Sequence, residues 1–258
     1  MSTFITIPQK TYDTVMTNSE WIIMDGTTTI CTATRLSEQD VDFVRIKQQF
    51  RQYGDNVFEA VHVYRVCNPE LEKRYETMRI VMSLQSGIEP HQVVEKHGLY
   101  HSTKAPLATI VAEGLDVAKS KIGLFGTGLY CTPSPIKSSS YWPIRFNRRI
   151  MLEMSSLIGN AYICPPNTVC KALSCAPCGF DSVVGMINGQ IETVVYNNAQ
   201  LIPRFIIDYE VLPDYADVAT RILFQPAHTN SSTATPSSAT ASPNVCCPSQ
   251  SSVINSVV

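Results

Sequence analysis

Apolar and polar positions in the middle of the chain predict two helices with a strand between them. Ser37 precedes a short acidic stretch, as is typical of a helix N-terminus. The apolar positions that follow include pairs three and four residues apart, as on a helix face: Val41 with Val44, and Ile46 with Phe50. Residues 60–66 alternate and predict a strand. Asn68 and Pro69 then predict a second helix, with Pro69 in its first turn. Its predicted apolar face comprises Leu71, Tyr75, Met78 and Val81.

Short runs rich in β-branched and aromatic residues follow the second helix and predict strands. They cover residues 98–102, 126–132, 148–155, 181–186, 192–198 and 204–210. Helices followed by several strands indicate an α+β fold, in contrast to the regular alternation of an α/β fold. We therefore expect a folded unit over residues 36–212, with mixed or antiparallel sheets flanked by helices.

The two ends of the chain differ from this unit. Residues 1–35 contain strand-like runs broken by Asp25 and Gly26, which predicts a strand-rich extension with a hairpin. Residues 222–258 contain no Asp, Glu, Lys or Arg and consist mostly of small polar residues and proline. Such a composition buries too little apolar surface to offset the entropy of ordering, so we expect a disordered tail.

Composition narrows the class of protein. The 258 residues carry a formal net charge of −2, so no general basic field indicates a nucleic-acid partner. No apolar run reaches the roughly 18 residues that a membrane-spanning helix needs, and the N-terminus lacks a secretory signal pattern. Nine cysteines at unequal spacings do not predict a disulfide framework. We expect an intracellular protein of the nucleus or cytoplasm, without a membrane partner.

Three segments contain residues that could carry chemistry: 97–103, 125–141 and 192–200. Each is weak alone, because a histidine at a strand end or a glutamate in a strand usually has a structural role. Gly126 and Gly128 form only a Gly-x-Gly pattern, without the following helix that would hold a pyrophosphate. A nicotinamide-dependent dehydrogenase is therefore not indicated.

Taken together and in order, the three segments resemble the catalytic domain of the poly(ADP-ribose) polymerase family, the diphtheria-toxin-like ADP-ribosyltransferases. That family is marked by a His–Tyr–Glu triad, which His101, Tyr130 and Glu192 match. Ser138 and Tyr141 stand 8 and 11 positions after Tyr130, where the family places a nicotinamide-binding serine and a stacking tyrosine. Residues 67–75, 179–185 and 196–210 also resemble family segments, so the likeness spans about residues 36–212.

The resemblance implies the ADP-ribosyltransferase fold and the use of NAD⁺ as a substrate, with nicotinamide released and ADP-ribose passed to protein acceptors, including the protein itself. It implies that His101 binds the adenine-side ribose and that the Ser102 main chain and the Ser138 hydroxyl hold the carboxamide. Tyr130 and Tyr141 would stack on the two faces of the nicotinamide ring.

By the same resemblance, Glu192 would bind the ribose 2′-hydroxyl and stabilise the oxocarbenium-like transition state. Lys137 is a further cofactor-binding candidate, since chain-elongating members of the family carry lysine there. Transfer of one unit and synthesis of a polymer both remain open. Ser102 departs from the family, which usually has glycine at this position, and its side chain could crowd the carboxamide. The alternative is therefore a catalytically inactive module that binds NAD-like ligands, RNA or protein.

Four cysteines fall close together in a loop rich in proline: Cys164, Cys170, Cys175 and Cys178. Four thiolates can close a tetrahedral structural zinc site, although the spacing of the first pair is wider than in common zinc ribbons. Reduced thiols in a loop are the favoured interpretation, and a structural zinc ion is the alternative.

Overall fold

The computed structural model describes residues 13–16, 20–25, 28–53, 57–141 and 148–212. Its helices are α1 (Val41–Tyr53), α2 (Pro69–Ser86), α3 (Leu107–Glu113) and α4 (Pro135–Ser139). Its strands are β1 (Asp13–Met16), β2 (Glu20–Asp25), β3 (Thr28–Arg35), β4 (Phe58–Cys67), β5 (Glu95–His101), β6 (Ile122–Gly123), β7 (Gly126–Thr127), β8 (Leu129–Cys131), β9 (Arg148–Leu157), β10 (Ala161–Ile163), β11 (Ser182–Ile187), β12 (Gln190–Val195) and β13 (Leu201–Val211). The tail predicted over residues 222–258 lies outside the described residues.

Two sheets form the framework of the described chain. The larger has the order β1-β2-β3-β4-β13-β9-β5, and all its neighbouring strands are antiparallel. The smaller has the order β10-β11-β12-β8, with β10 and β11 parallel. A single antiparallel bridge between Tyr100 and Thr132 joins β5 to the chain after β8. The predicted α+β class with mixed and antiparallel sheets is confirmed.

The main core fills the space between the two sheets and α3. Leu152 and Ile206 come from the larger sheet, Leu129 and Val195 from the smaller, and Val111 from α3. Helices α1 and α2 pack on the larger sheet through two further clusters of buried side chains. The larger sheet is therefore covered by apolar groups on both faces. This packing holds the end of β5 in place, and the candidate site begins there.

Helix α1 confirms the first predicted helix, but it begins at Val41 and not at Ser37, because the Asp40 side chain accepts from the Asp42 backbone N–H, and it exposes part of its predicted face. Val41 and Val44 are 79% and 46% exposed. The buried stripe is Phe43, Ile46 and Phe50, in the i, i+3, i+7 spacing of one helix face. The prediction at Val41 and Val44 was wrong because the aromatic ring of Phe43 offers more apolar area to the sheet, which rotates the helix toward it.

Helix α2 begins as predicted, with the Asn68 side chain accepting hydrogen bonds from the backbone N–H groups of Glu70 and Leu71. The predicted residues Leu71 and Tyr75 are buried, and Met78 packs against the same cluster. Val81 is 38% exposed, however, and Met82 occupies the buried position instead. Met82 lies seven residues after Tyr75, so it stays on the same helix face while Val81 turns away from it.

The N-terminal strands extend the larger sheet. β2 and β3 pair antiparallel, with Asp25 opposite Thr28, so the predicted hairpin is present. β3 also pairs with β4, and Ile23 and Ala33 belong to the main core. In the described part of the chain, no helix is both long and apolar enough to traverse a lipid bilayer.

Candidate active site

Three strands bring the candidate triad to one place. In the ladder between β8 and β12, Val194 stands opposite Tyr130. Glu192 lies two residues from Val194 in the same strand and therefore projects from the same face of the sheet as Tyr130. His101 ends β5, and its Nδ1 lies 2.8 Å from the carbonyl oxygen of Tyr130. Backbone pairing thus sets the relative positions of the three side chains.

The hydrogen bond of His101 determines its tautomer. Because a carbonyl oxygen only accepts, Nδ1 must carry the proton that it donates to Tyr130. In the neutral ring, Nε2 then has a lone pair available to accept a hydrogen bond from a hydroxyl group. Burial lowers the pKa of His101 and favours this neutral form.

The Tyr130 ring is fixed by the turn that precedes it. Its hydroxyl donates to the carbonyl oxygen of Gly126 at 2.7 Å and accepts from the backbone N–H of Phe125 at 2.9 Å. The ring passes so close to Gly123 that a Cβ there would lie 2.5 Å from Cζ of the tyrosine. Burial raises the pKa of Tyr130 to about 12, so the phenol stays neutral and serves as a flat packing surface.

Glu192 is the buried carboxylate of the site, with only 4% of the residue exposed. Its Oε1 accepts a hydrogen bond of 2.9 Å from the Tyr141 hydroxyl and lies 3.4 Å from Nζ of Lys137. The same Nζ lies 5.4 Å from the centroid of the Tyr141 ring. Burial and the neighbouring Glu192 carboxylate raise the pKa of Tyr141. Two donors therefore meet on one carboxylate oxygen.

Ser102 and Ser138 form a buried pair of hydroxyl groups. Their Oγ atoms lie 3.1 Å apart, at hydrogen-bond distance, and the residues are 7% and 1% exposed. Ser102 follows the last residue of β5, whereas Ser138 lies in α4. The Ser134 hydroxyl caps α4 by accepting from the backbone N–H of Lys137 at 3.2 Å. This short helix therefore presents Lys137 toward Glu192 and Ser138 toward Ser102.

One cavity of about 720 Å³ collects most of the predicted residues. Six of the seven candidates line it: His101, Ser102, Tyr130, Ser138, Tyr141 and Glu192. The seventh, Lys137, contacts Glu192 from beside the cavity. A second cavity of about 280 Å³ shares His101 and Tyr130 with the first. The larger cavity has the volume of a typical small-molecule site.

Four lysines around this cavity were not predicted from the sequence. They are Lys104, Lys119, Lys121 and Lys171. Lys171 belongs to the cysteine-rich loop, for which we predicted no role in the site. One signal was present, because Lys171 is the single charged residue between Glu153 and Asp181. The loop is held to the site by β7, where the backbone N–H of Thr127 donates to the carbonyl oxygen of Leu173.

The cysteines of this loop do not form a recognisable metal centre. Within residues 13–212, as far as the structure describes them, no three His, Cys, Asp or Glu side chains are grouped to hold a metal ion. The geometry therefore does not support a zinc ion at the four candidate ligands, which are Cys164, Cys170, Cys175 and Cys178. Burial and the neighbouring Cys170 thiol raise the pKa of Cys164 to about 12, so that thiol is protonated.

A scan of the chain against models of protein families finds no match, and a search of curated proteins finds none. The likeness to the poly(ADP-ribose) polymerase family rests on the motif residues and their spacing, and the family's fold stays a prediction.

Proposed function

We propose that this protein is an NAD⁺-dependent ADP-ribosyltransferase. It would break the bond between nicotinamide and ribose and transfer ADP-ribose to protein acceptors, including itself. The observation that carries the proposal is the convergence of His101, Tyr130 and Glu192, from three distant segments, on one cavity in which the carboxylate is buried. An intracellular location, in the nucleus or the cytoplasm, is part of this proposal.

The reaction requires negative charge beside the ribose. As the glycosidic bond lengthens, its electron pair leaves with nicotinamide and positive charge grows on the ribose. A carboxylate fixed in a buried site stabilises that charge more strongly than one surrounded by water. The acceptor then forms the new bond to the ribose carbon and releases its proton. Because Tyr141 and Lys137 both contact Oε1 of Glu192, the second oxygen is the one to bind the ribose 2′-hydroxyl.

The other residues would bind and orient NAD⁺. The Nε2 lone pair of His101 suits a ribose hydroxyl, because its Nδ1 is already used by Tyr130. Tyr130 and Tyr141 offer aromatic surfaces to the nicotinamide ring, and such stacking contributes about 0.5–1.5 kcal/mol for each pair. The exposed lysines at the cavity suit the two phosphates. Lys137 would mainly orient the Glu192 carboxylate and would contact the nicotinamide ring less.

Incubation with NAD⁺ labelled in its adenine moiety tests the proposal. The expected result is label covalently attached to the protein itself or to added acceptor protein, with an equivalent amount of nicotinamide released. Nicotinamide release without protein labelling would indicate an NAD⁺ glycohydrolase and contradict the transferase proposal. Resolving the product on a gel distinguishes a single unit from a polymer.

Ser102 favours the second candidate, a module that binds NAD-like ligands, RNA or protein without catalysis. A side chain here stands where the family usually has glycine and would narrow the space for the carboxamide. This candidate predicts that the protein binds NAD⁺ in calorimetry, or RNA or a protein partner, but consumes no NAD⁺ in the labelling assay. The buried and doubly contacted Glu192 favours the transferase, because binding alone does not require it.

A further inference from the structure

The hydroxyl of Ser102 is used within the protein. Its Oγ lies 3.1 Å from Oγ of Ser138, so two elements that are separate in sequence, the end of β5 and α4, meet through this pair. Both residues are buried and both line the cavity. The side chain that distinguishes this chain from the family pattern is therefore in contact with a residue that the family uses for nicotinamide.

The two serines that follow Ser138 behave differently. The hydroxyls of Ser139 and Ser140 donate to the carbonyl oxygens of Ile136 and Lys137, three residues earlier. Ser138 instead pairs with Ser102 across the cavity wall. A hydroxyl pair contains two protons but uses only one in its own bond, so the other proton remains available to a ligand.

We propose that Ser102 is a positioning residue for Ser138, an inference that rests on the proposed function. The Ser102 hydroxyl donates to Oγ of Ser138, and the Ser138 proton is thereby directed to the carboxamide oxygen of nicotinamide. Because an oxygen that accepts one hydrogen bond becomes a stronger donor of another, the pair binds the carboxamide better than an isolated serine would. A freely rotating hydroxyl becomes a preorganised donor.

A double-mutant cycle tests this coupling. The variants are Ser102→Ala, Ser138→Ala and the double variant, with Ser140→Ala as the control hydroxyl that points to backbone. Calorimetry gives the Kd for nicotinamide, and nicotinamide release gives kcat and KM for NAD⁺. We expect Ser102→Ala to raise the Kd and the KM about three- to tenfold, as for the loss of one hydrogen bond, with kcat changed less than about twofold. Ser140→Ala should match the wild type.

Two comparisons within the cycle are decisive. Ser138→Ala should weaken nicotinamide binding more than Ser102→Ala, because Ser138 is the direct donor. In the Ser138→Ala background, the further change at Ser102 should have no effect, because its partner is gone. If Ser102→Ala weakens nicotinamide binding equally in the wild-type and Ser138→Ala backgrounds, Ser102 has a general structural role. If Ser102→Ala weakens binding more than Ser138→Ala does, the donor order is reversed. Either result would overturn the proposal.

Ser102→Gly separates positioning from crowding. Positioning predicts the same loss as Ser102→Ala, because both variants lack the hydroxyl. If glycine binds nicotinamide more tightly than the wild type while alanine equals it, the side chain only crowds the ligand and the proposal is wrong. A wild type that binds neither nicotinamide nor NAD⁺ would overturn the proposed function as well. A wild type that binds both, with unchanged variants, would overturn this inference alone.

Discussion

The Tyr141 hydroxyl donates a hydrogen bond of 2.9 Å to Oε1 of Glu192, although 51 residues separate the two along the chain. The contact gives one tyrosine two separate features: a ring that can pack on nicotinamide and a hydroxyl that orients the carboxylate. Tyr141 is half exposed, at 50%, so part of the residue is accessible to a ligand while its hydroxyl is bound within the site.

Tyr141→Phe removes only the hydroxyl. We expect kcat for nicotinamide release to fall about 5- to 30-fold, because Glu192 loses a donor that orients it, while KM for NAD⁺ stays within about threefold. Tyr141→Ala removes the ring as well and should also raise KM. Steady-state kinetics of both variants measure the difference. A phenylalanine variant with unchanged kcat and raised KM would contradict an orienting role for the hydroxyl.

The pH dependence of stability follows from the lowered pKa of His101. The folded protein binds this proton less readily than the unfolded chain, in which histidine titrates near pH 6.5. The folded state should therefore lose stability as the pH falls from about 6.5 to the lower pKa that His101 has in the folded protein. His101→Gln should reduce the difference in unfolding free energy between pH 7.5 and 5.5.

Chemical denaturation at the two pH values measures this effect, with His97→Gln as the control. His97 has a side chain that is 68% exposed and lies outside the cavity. The His97→Gln control should keep the pH dependence of the unfolding free energy that the wild type shows. If His101→Gln keeps it as well, burial of the His101 ring does not contribute to this dependence.

Alanine substitutions at two glycines distinguish the energetic cost of a steric contact from that of a left-handed backbone conformation. Gly126 has φ of 85°, and a Cβ there would lie 1.9 Å from the carbonyl oxygen of Leu173. Gly179 has φ of 83°, but a Cβ there would meet nothing within 4 Å. Alanine at Gly179 should cost about 1 kcal/mol of unfolding free energy from the left-handed conformation alone.

Alanine at Gly126 should cost about 2–4 kcal/mol, because the turn must also move away from Leu173. The displaced turn would shift Tyr130, so nicotinamide release should also fall. Denaturation curves and activity of the two variants test this. Equal losses of stability at Gly126 and Gly179 would show that contact between the alanine Cβ and Leu173 does not reduce the unfolding free energy.

Much of the secondary structure was predictable because local patterns specify it. Alternation and β-branched residues mark β4 and β12, and the Asn68-Pro69 pair marks the start of α2. The order and spacing of the motif residues also identified six of the residues that line the cavity. These features depend on near neighbours in the chain, which a sequence displays directly.

The remaining features depend on contacts between distant segments. The spacing after Ser37 suited Val41 and Val44, yet packing against the sheet selected Phe43. The isolated charge of Lys171 is a local signal, but its loop reaches the cavity through contacts with distant residues, such as the hydrogen bond between Thr127 and Leu173. Likewise, the pairing of the Ser102 and Ser138 hydroxyls depends on the distance between the end of β5 and α4, which the sequence does not show. Tertiary geometry decides such points.

The transfer activity of Glu192→Gln, with Glu153→Gln as the matched control, tests the central claim most directly. Both glutamates are buried, at 4% and 2% exposed, but Glu153 pairs with Arg45 outside the cavity. With labelled NAD⁺, we expect Glu192→Gln to bind within about threefold of the wild type and to transfer about 10²- to 10³-fold more slowly, whereas Glu153→Gln transfers normally. A Glu192→Gln protein that labels acceptors at the wild-type rate would contradict the account.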